Sequence, residues 1–249
     1  KFKAAKNVFT SLYEVMLKIV HWLMLFAPLG IFALLVNMIV SQDTELFSQL
    51  GIFIFTVIFL IMFHGLVILP TILYILTKIS PLHLWREGRP AFITAFATSS
   101  SAATLPITLS VANNNFRTSK GVSNFVLPLG ATMNMDGTAL FECVVVVFLA
   151  QLFGIEMGWV TQATVVLMAL LTSIGVAGIP SASLVAIIVI LQAVNFPPET
   201  IAIGVGIVYV VDRILDMCRT AVNVLGDSCA AAIIGKSEGE KGYYSSLRS

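Results

Sequence analysis

Six polar residues follow one another at helical spacing within one apolar segment near the C-terminal end of the sequence. They are Asp212, Asp216, Arg219, Thr220, Asn223 and Asp227, separated by 4, 3, 1, 3 and 4 residues. Residues three and four apart lie on the same face of a helix, so these side chains form one stripe. Carboxylates, a guanidinium group, a hydroxyl and an amide on one face can bind small charged molecules and cations.

A second polar break lies in an apolar segment nearer the N-terminus. Asn134, Thr138 and Glu142 stand at positions i, i+4 and i+8, with Asp136 beside them. Gly137 weakens a helix by about 1 kcal/mol relative to alanine, as expected where a helix opens. An opened backbone at membrane depth is tolerated where it lines a cavity, and its carbonyls can then bind cations. The candidate ligands for sodium, which prefers hard oxygen atoms, are Asp227, Asn134, Asn223 and the carbonyls near Gly130.

Two tracts of small residues, SSSAATLP and SIGVAGIP, interrupt the apolar segments Pro90–Val111 and Thr161–Val194. Each half-segment is about ten to fifteen residues long, too short as a helix to cross a bilayer, which predicts two re-entrant hairpins. Helix N-termini at the hairpin tips present free N–H groups to an anion. Each tract ends in an apolar residue and proline and is followed by a polar break, so the two units are typical of an inverted repeat.

These groups together match an acidic amino acid. Arg219 can hold a carboxylate through two N–H groups. Asp216, one turn away, can hold an ammonium group, and the N–H groups at the hairpin tips can bind a second carboxylate. Aspartate and glutamate carry this set of charges.

The composition places most of the chain in lipid. Of the 249 residues, 58% are hydrophobic and 11% are charged, and the mean hydropathy is +0.96. Soluble domains carry about 25% charged residues. The net charge of +1 gives no basic surface for nucleic acid. The three cysteines, Cys143, Cys218 and Cys229, show no disulfide or zinc spacing and are interpreted as small buried hydrophobes.

Four segments are long enough to cross a bilayer, which takes about 20 apolar residues. They are Val8–Val40, Leu46–Leu76, Val122–Phe153 and Ile201–Ile234.

Charged residues inside these spans are costly, at about 2.5–3.5 kcal/mol each, so the stripe is expected to face protein or an aqueous cavity. A structural pair between Asp212 or Asp216 and a nearby arginine is the alternative interpretation, but it leaves the rest of the stripe unexplained.

The distribution of basic residues predicts that both chain ends are cytoplasmic. The acidic residues Asp43, Glu45, Glu156 and Glu199 would then lie on the opposite side. The basic residues that would face the cytoplasm are Lys1, Lys3, Lys6, Lys78, Arg86, Arg89, Arg117, Lys120, Lys236, Lys241 and Arg248.

Four ordered motifs, SSSAATLP, PLGATMNMDGTAL, SIGVAGIPSASL and DRILDMCRTAVNVLGD, resemble the glutamate transporter family of sodium:dicarboxylate symporters. The resemblance implies an all-α membrane protein with transmembrane helices and two re-entrant helical hairpins in an inverted repeat, the core of an elevator-type transporter. It also implies a homotrimer in the plasma membrane and no enzymatic activity. The corresponding division is a scaffold helix in residues 1–42, a transport domain in residues 43–235 and a cytoplasmic tail in residues 236–249.

The resemblance also assigns roles to particular residues. The implied substrate contacts are Ser101, Thr138, Gly178, Ile179, Asp216, Arg219, Thr220 and Asn223. The implied first sodium site comprises Gly130, Asn134, Asn223 and Asp227. The second comprises Thr132, Met135, Ser173, Ile174 and Val176, and Asn134 and Asp136 contribute to a third. Glu142 matches the proton acceptor of animal members, in which potassium is counter-transported.

The sequence departs from the family pattern in three respects. Several earlier spans of the family are absent, so we expect the chain, which opens with KFKAAKNVF, to be part of a longer protein. Archaeal members carry arginine where this chain has Ser99, and Arg213 is the candidate replacement. Proton-coupled members carry asparagine at the position of Asp227, so Asp227 favours sodium coupling.

Alternative functions remain at this stage. A neutral amino acid or dicarboxylate symporter of the same family is one, although neutral exchangers lack an arginine at the position of Arg219. Leu225-Gly226-Asp227 loosely resembles the motif of an intramembrane aspartyl protease, without its tyrosine-aspartate partner. An ion channel is a further alternative, while a serine hydrolase is disfavoured because GxSxG is absent.

The histidines His21, His64 and His83 are interpreted as interfacial or packing residues. The choice between aspartate and glutamate, the number of sodium ions, and any coupling to protons or potassium stay open.

Overall fold

The computed structural model describes residues 44–175 and 178–239, together with individual positions between residues 7 and 36. Within this part of the chain the regular structure is entirely helical. The chain divides into two compact units, residues 1–46 and 47–249. The predicted span Val8–Val40 falls largely outside the described residues, as do Val176 and residues 240–249. The assignment of scaffold, transport and tail roles along the chain stays a prediction.

Nine α-helices and one short π-helical segment follow residue 43 in the described part. The helices are α1 Thr44–Phe63, α2 Leu69–Thr77, α3 Pro81–Thr98, α4 Ser101–Asn114, α5 Lys120–Met133, α6 Asp136–Leu152, α7 Trp159–Gly175, α8 Ser183–Ala193 and α9 Pro198–Ser237. The π-helical segment His64–Ile68 joins α1 to α2.

Two helical stretches in the described part are long and apolar enough to cross a bilayer. Leu46–Thr77 has a mean hydropathy of 2.8 and Lys120–Leu152 one of 1.7, in agreement with two of the predicted spans. On α1, large apolar side chains such as Phe55, which is 71% exposed, point away from the rest of the chain. A surface of this kind is stable against lipid or another protein segment rather than water.

The first small-residue tract forms the tip of a helical hairpin made by α3 and α4. The chain reverses at Ser99, whose φ of 51° is left-handed, and at Ser100, whose side chain accepts a hydrogen bond from the backbone N–H of Ala103. The expected bounds were wrong in two ways. Helix α3 begins at Pro81 rather than Pro90 and has 18 residues. The AATLP part of the tract is helical, because alanine and leucine are good helix formers once Ser100 caps the helix.

The second tract joins α7 to α8, which have 17 and 11 residues and pack against each other. The turn lies between Gly175 and Ser183, in agreement with the predicted break. Within it Ser181 has a left-handed φ of 57°, a conformation that reverses the chain and aims its backbone N–H inward.

The predicted opening around NMDGT is confirmed. Helix α5 ends at Met133 and α6 begins at Asp136, with Asn134 and Met135 outside helical geometry at ψ values of 70° and 57°. The long final helix α9, with 40 residues, packs against α2, α3, α4, α5, α6 and α8. It is therefore the central element of the larger unit, and the polar stripe lies along its buried side.

Candidate substrate and cation site

Helix α9 buries all six residues of the stripe. Asp212, Asp216, Arg219, Thr220, Asn223 and Asp227 are each no more than 5% exposed. Their helical spacing turns them towards α5, α6 and the two hairpins, which cover this side of α9. The prediction that the stripe faces the protein interior is confirmed.

Arg219 is held by two aspartates in this structure. Its Nη1 lies 2.9 Å from Asp212 Oδ1 and its Nη2 lies 2.8 Å from Asp216 Oδ1. The guanidinium carbon lies 4.2 Å from the centre of the Phe141 ring, a cation–π contact. The local ion pair considered from the sequence therefore exists, and Asp212, two turns away on α9, extends it to a triad. One positive and two negative groups give this buried triad a formal charge of −1.

The second hairpin contributes a backbone donor to the same triad. The backbone N–H of Ser181 donates a hydrogen bond to Asp216 Oδ2 at 2.9 Å. Both oxygens of Asp216 therefore have partners, one on α9 and one at the tip between α7 and α8. A ligand that binds Asp216 must replace or share one of these contacts.

The two hairpin tips meet at Gly178. Its carbonyl accepts a hydrogen bond from Ser100 Oγ at 2.6 Å and lies 3.4 Å from the backbone nitrogen of Ala102. A Cβ atom at residue 178 would stand 2.8 Å from the carbonyl oxygen of Ala131. Glycine is required here because the second tip approaches both the first hairpin and the end of α5 closely.

Asn223 joins α9 to the opened segment. Its Oδ1 accepts a hydrogen bond from the backbone N–H of Gly137 at 2.8 Å, and its Nδ2 donates to Thr138 Oγ1 at 3.0 Å. A Cβ atom at Gly137 would stand 2.9 Å from the carbonyl oxygen of Arg219. Asn223 thus satisfies the first turn of α6, and Gly137 allows the helices to approach closely.

All eight residues predicted to contact substrate line one small cavity, whose volume of about 20 Å³ is room for about one water molecule. The cavity lies between the two hairpin tips, the opened segment and α9. Its lining residues are Ser99, Ser101, Met135, Thr138, Gly178, Ile179, Ala182, Ser183, Asp216, Arg219, Thr220 and Asn223. Ser99, Ala182 and Ser183 were not predicted as substrate contacts, although each lies within one of the quoted motifs.

The first predicted sodium set is brought together in part. Asn134 Nδ2 donates to Asp227 Oδ1 at 3.0 Å. A Cβ atom at Gly130 would overlap the Asp227 carboxylate, so Gly130 and Asp227 are in close contact. Asn223 reaches the same break through Gly137 and Thr138 rather than by a direct contact with Asp227. The arrangement places the Asp227 carboxylate beside the Asn134 amide and the backbone of Gly130.

The second predicted set lies at the ends of α5 and α7, which pack against each other. Thr132 is exposed and its hydroxyl donates to the carbonyl of Leu129 at 3.0 Å. Ser173 is buried and donates to the carbonyl of Leu170 at 3.0 Å. Ile174 is 47% exposed, and Val176 is outside the described residues.

In the described part, no group of three His, Cys, Asp or Glu side chains has the arrangement of a metal site. Cation binding here would therefore depend on carbonyl and amide oxygens together with single carboxylates.

Asp136, from the third predicted set, has a partner that the sequence did not indicate. Its Oδ2 lies 2.6 Å from Nε2 of His64 in the π-helical segment. The interpretation of His64 as a packing or interfacial residue was therefore wrong. The two residues are 72 positions apart, and no motif spacing links them.

Glu142 lies on α6 and is fully buried. Its Oε2 accepts a hydrogen bond from Thr172 Oγ1 at 2.8 Å, while its Oε1 is buried and has no hydrogen-bond partner among the described residues. A carboxyl group with one unpartnered oxygen in an apolar setting is suited to holding a proton there.

Comparison with known proteins agrees with this geometry. The sequence model of the sodium:dicarboxylate symporter family matches residues 1–237. Excitatory amino acid transporter 2 of Mus musculus is 43% identical over 234 residues, which are 93% of this chain and 40% of the relative. Excitatory amino acid transporter 3 of Homo sapiens is 41% identical over 231 residues, 92% of this chain and 43% of the relative. An excitatory amino acid transporter of Caenorhabditis elegans is 40% identical over 230 residues, 91% of this chain and 44% of the relative. The chain thus spans less than half the length of these relatives.

Proposed function

Because this chain belongs to the sodium:dicarboxylate symporter family, we propose that it is the substrate- and ion-binding part of a sodium-driven symporter of acidic amino acids. The observation that carries the proposal is the buried Asp212–Arg219–Asp216 triad, of which Arg219 and Asp216 line the cavity. The family consists of symporters, not enzymes, and the relatives are excitatory amino acid transporters.

The triad favours a ligand with both a carboxylate and an ammonium group. A substrate carboxylate would take the Arg219 Nη2 that now lies beside Asp216. The freed Asp216 oxygen would then take the substrate ammonium group. Leaving one member of a buried ion pair without a partner costs about 3–5 kcal/mol. A dicarboxylate without an amino group would leave Asp216 unpaired, and a neutral amino acid would supply no second carboxylate.

The Ser181 contact supports a gating role for the second hairpin. Its tip is hydrogen bonded to Asp216, so a substrate that binds Asp216 changes the contact that holds the tip. The first hairpin meets the second through Ser100 and Gly178. The tips thus act as gates, and the substrate is held by the eight cavity residues Ser101, Thr138, Gly178, Ile179, Asp216, Arg219, Thr220 and Asn223.

Sodium ions bind as co-transported substrates at the opened segment. The first is held by Gly130, Asn134, Asn223 and Asp227, the second by Thr132, Met135, Ser173, Ile174 and Val176. A third is held by Asn134 and Asp136, with further ligands from spans outside this chain. Substrate and sodium bring opposite charges to adjacent positions, so each stabilises the other electrostatically.

The full-length protein is a homotrimer in the plasma membrane, with both ends of this chain in the cytoplasm. The hairpins are re-entrant from opposite faces, and their unit moves as an elevator against a scaffold. The outward-facing apolar side chains of α1 support contact with lipid or scaffold. Potassium is the counter-transported ion.

The proposal is tested by uptake of labelled aspartate and glutamate into proteoliposomes by the full-length protein. Preferential uptake of serine or succinate would indicate a neutral amino acid or dicarboxylate carrier instead.

Gly130→Ala should impair sodium binding. The new Cβ would stand 2.4 Å from Asp227 Oδ1 and 2.9 Å from its Cγ, so the carboxylate must move away from the cation position. We expect the sodium concentration for half-maximal uptake to rise about tenfold, equivalent to about 1.4 kcal/mol. Gly206→Ala is the matched control, because its Cβ would meet nothing within 4 Å. Equal sodium dependence of the two variants would contradict the assignment.

Glu142→Gln should remove the pH dependence of coupling. We propose that Glu142 carries a proton with the substrate, because its Oε1 is buried without a partner among the described residues. The amide keeps an acceptor for Thr172 but cannot exchange a proton in the physiological range. Proton flux coupled to aspartate uptake should be lost, as measured with a pH-sensitive dye inside the vesicles. Flux equal to that of the wild type would refute this role.

A further inference from the structure

We propose that His64 is a positioning residue for cation binding: it holds one oxygen of Asp136 so that the other oxygen is presented to the sodium ion. This inference rests on the proposed function. Its basis is the 2.6 Å contact between His64 Nε2 and Asp136 Oδ2. Asp136 Oδ1, in contrast, is buried and has no hydrogen-bond partner among the described residues. A buried carboxylate oxygen without a partner is costly unless a cation or another donor completes it.

His64 lies at the start of the π-helical segment that joins α1 to α2. Pro70 has no N–H to donate and its ring conflicts with the carbonyl four residues before it. The backbone N–H of Leu69 instead bonds to the carbonyl of His64, five residues back, which gives a π-helical turn. His64 is the first residue of this turn, and the extra residue rotates the side chains that follow it relative to those of α1.

Gly65 lets this turn approach the final helix. A Cβ atom there would stand 2.9 Å from Val222 Cγ2 on α9. The turn therefore packs closely against α9, the helix that carries the polar stripe. The contact is at Val222, the residue before Asn223. His64 therefore approaches Asp136 from the π-helical segment, whereas Gly130 lies on α5 and Asp227 on α9.

The Asp136 carboxylate also lies close to Gly226 on α9. At Gly226 a Cβ atom would stand 3.1 Å from Asp136 Oδ1, 3.3 Å from its Oδ2 and 3.0 Å from Asn134 Nδ2. Asn134 in turn donates to Asp227. The His64–Asp136 and Asn134–Asp227 pairs thus both lie beside Gly226, whose missing side chain leaves room next to the free Oδ1. A ring that fixes Oδ2 fixes the direction of Oδ1, because the carboxylate is planar.

The experiment compares His64→Ala and His64→Gln in the full-length protein, with His83→Gln as the control. The alanine removes the donor, and the glutamine keeps an N–H at a similar distance from the backbone. For His64→Ala we expect the sodium concentration for half-maximal uptake to rise at least about tenfold, the scale of a lost hydrogen bond to a charged group. The KM for aspartate at saturating sodium should change less than about threefold, within the scatter of such effects. His64→Gln should restore the sodium dependence to within about threefold of the wild type.

Three results would overturn the inference: unchanged sodium dependence in His64→Ala, equal impairment in His64→Gln, or a rise in the aspartate KM as large as the change in sodium dependence. If His64→Ala gives no measurable uptake, sodium-dependent binding of aspartate to the purified protein provides the same comparison. Failure of the proposed function has a different signature, since the wild-type protein itself would then show no sodium-dependent uptake of acidic amino acids.

Discussion

Replacing Arg219 with cysteine is expected to lower aspartate uptake at least about 100-fold and to make serine or alanine the preferred substrate. Arg219 is the positive group at the cavity wall, 1% exposed and paired with Asp212 and Asp216. Without it, a substrate side-chain carboxylate would enter beside two aspartates with no compensating charge. Loss of a buried charge partner costs about 3–5 kcal/mol, more than enough for this change. A small neutral side chain meets no such penalty.

The measurement is competition among aspartate, serine and alanine for uptake by the full-length protein. Arg86→Cys is a suitable control, because the Arg86 side chain is 82% exposed and lies 3.7 Å from Glu87 in a weak surface pair. Arg219→Lys adds a variant that keeps the charge but loses the planar fork, and it should retain part of the aspartate preference. Retained aspartate selectivity in Arg219→Cys would count against Arg219 as the carboxylate-binding residue.

Replacing Asp227 with asparagine should have the largest effect on ion coupling. The amide oxygen can still accept the hydrogen bond from Asn134 Nδ2, so the fold is retained while the negative charge is lost. Asp227 is 2% exposed and lies against Gly130 at the end of α5. Because a cation at this position loses its carboxylate, we expect the sodium concentration for half-maximal uptake to rise at least tenfold, or about 1.4 kcal/mol.

Glu199→Gln, at the exposed start of the same helix, is the matched control for Asp227→Asn. Sodium dependence should be measured at a fixed, saturating aspartate concentration for both variants, so that the amino acid site is not the limiting factor. An Asp227→Asn protein with wild-type sodium dependence would remove this carboxylate from the cation site.

The sequence predicted the parts of the site that depend on helical spacing. The stripe from Asp212 to Asp227 was expected on one face of a helix, and the burial of all six side chains agrees with it. The break at Asn134 and Met135 was predicted from Gly137 and the surrounding polar residues. Both predictions depend on local geometry, in which the position of each side chain follows from the residues within two turns.

Contacts between distant segments could not be predicted in this way. The pairing of His64 with Asp136 depends on a π-helical turn and on the packing of Gly65 against Val222. Neither follows from periodicity, because one extra residue in a turn rotates every later side chain. The placement of Gly178 beside Ser100 and Ala131 was not predicted, since motif resemblance implied only that Gly178 contacts substrate.

Helix ends were the least predictable part of the fold. The sequence pattern predicts that a short hairpin arm starts at Pro90, but α3 begins at Pro81, which occupies its first turn. The length of α9 likewise exceeds the predicted span at both ends. In α3, packing of the buried Leu84 and Gly88 against neighbouring helices extends the segment beyond its predicted start.

Gradient-driven accumulation is the most direct test of the central claim, that the buried triad and the opened segment together bind an acidic amino acid and sodium. Purified full-length protein in vesicles should concentrate labelled aspartate or glutamate inside when sodium is higher outside. Accumulation should cease when an ionophore dissipates the sodium gradient. Uptake that equilibrates without concentration, or that continues at the same rate after the sodium gradient is removed, would contradict the account.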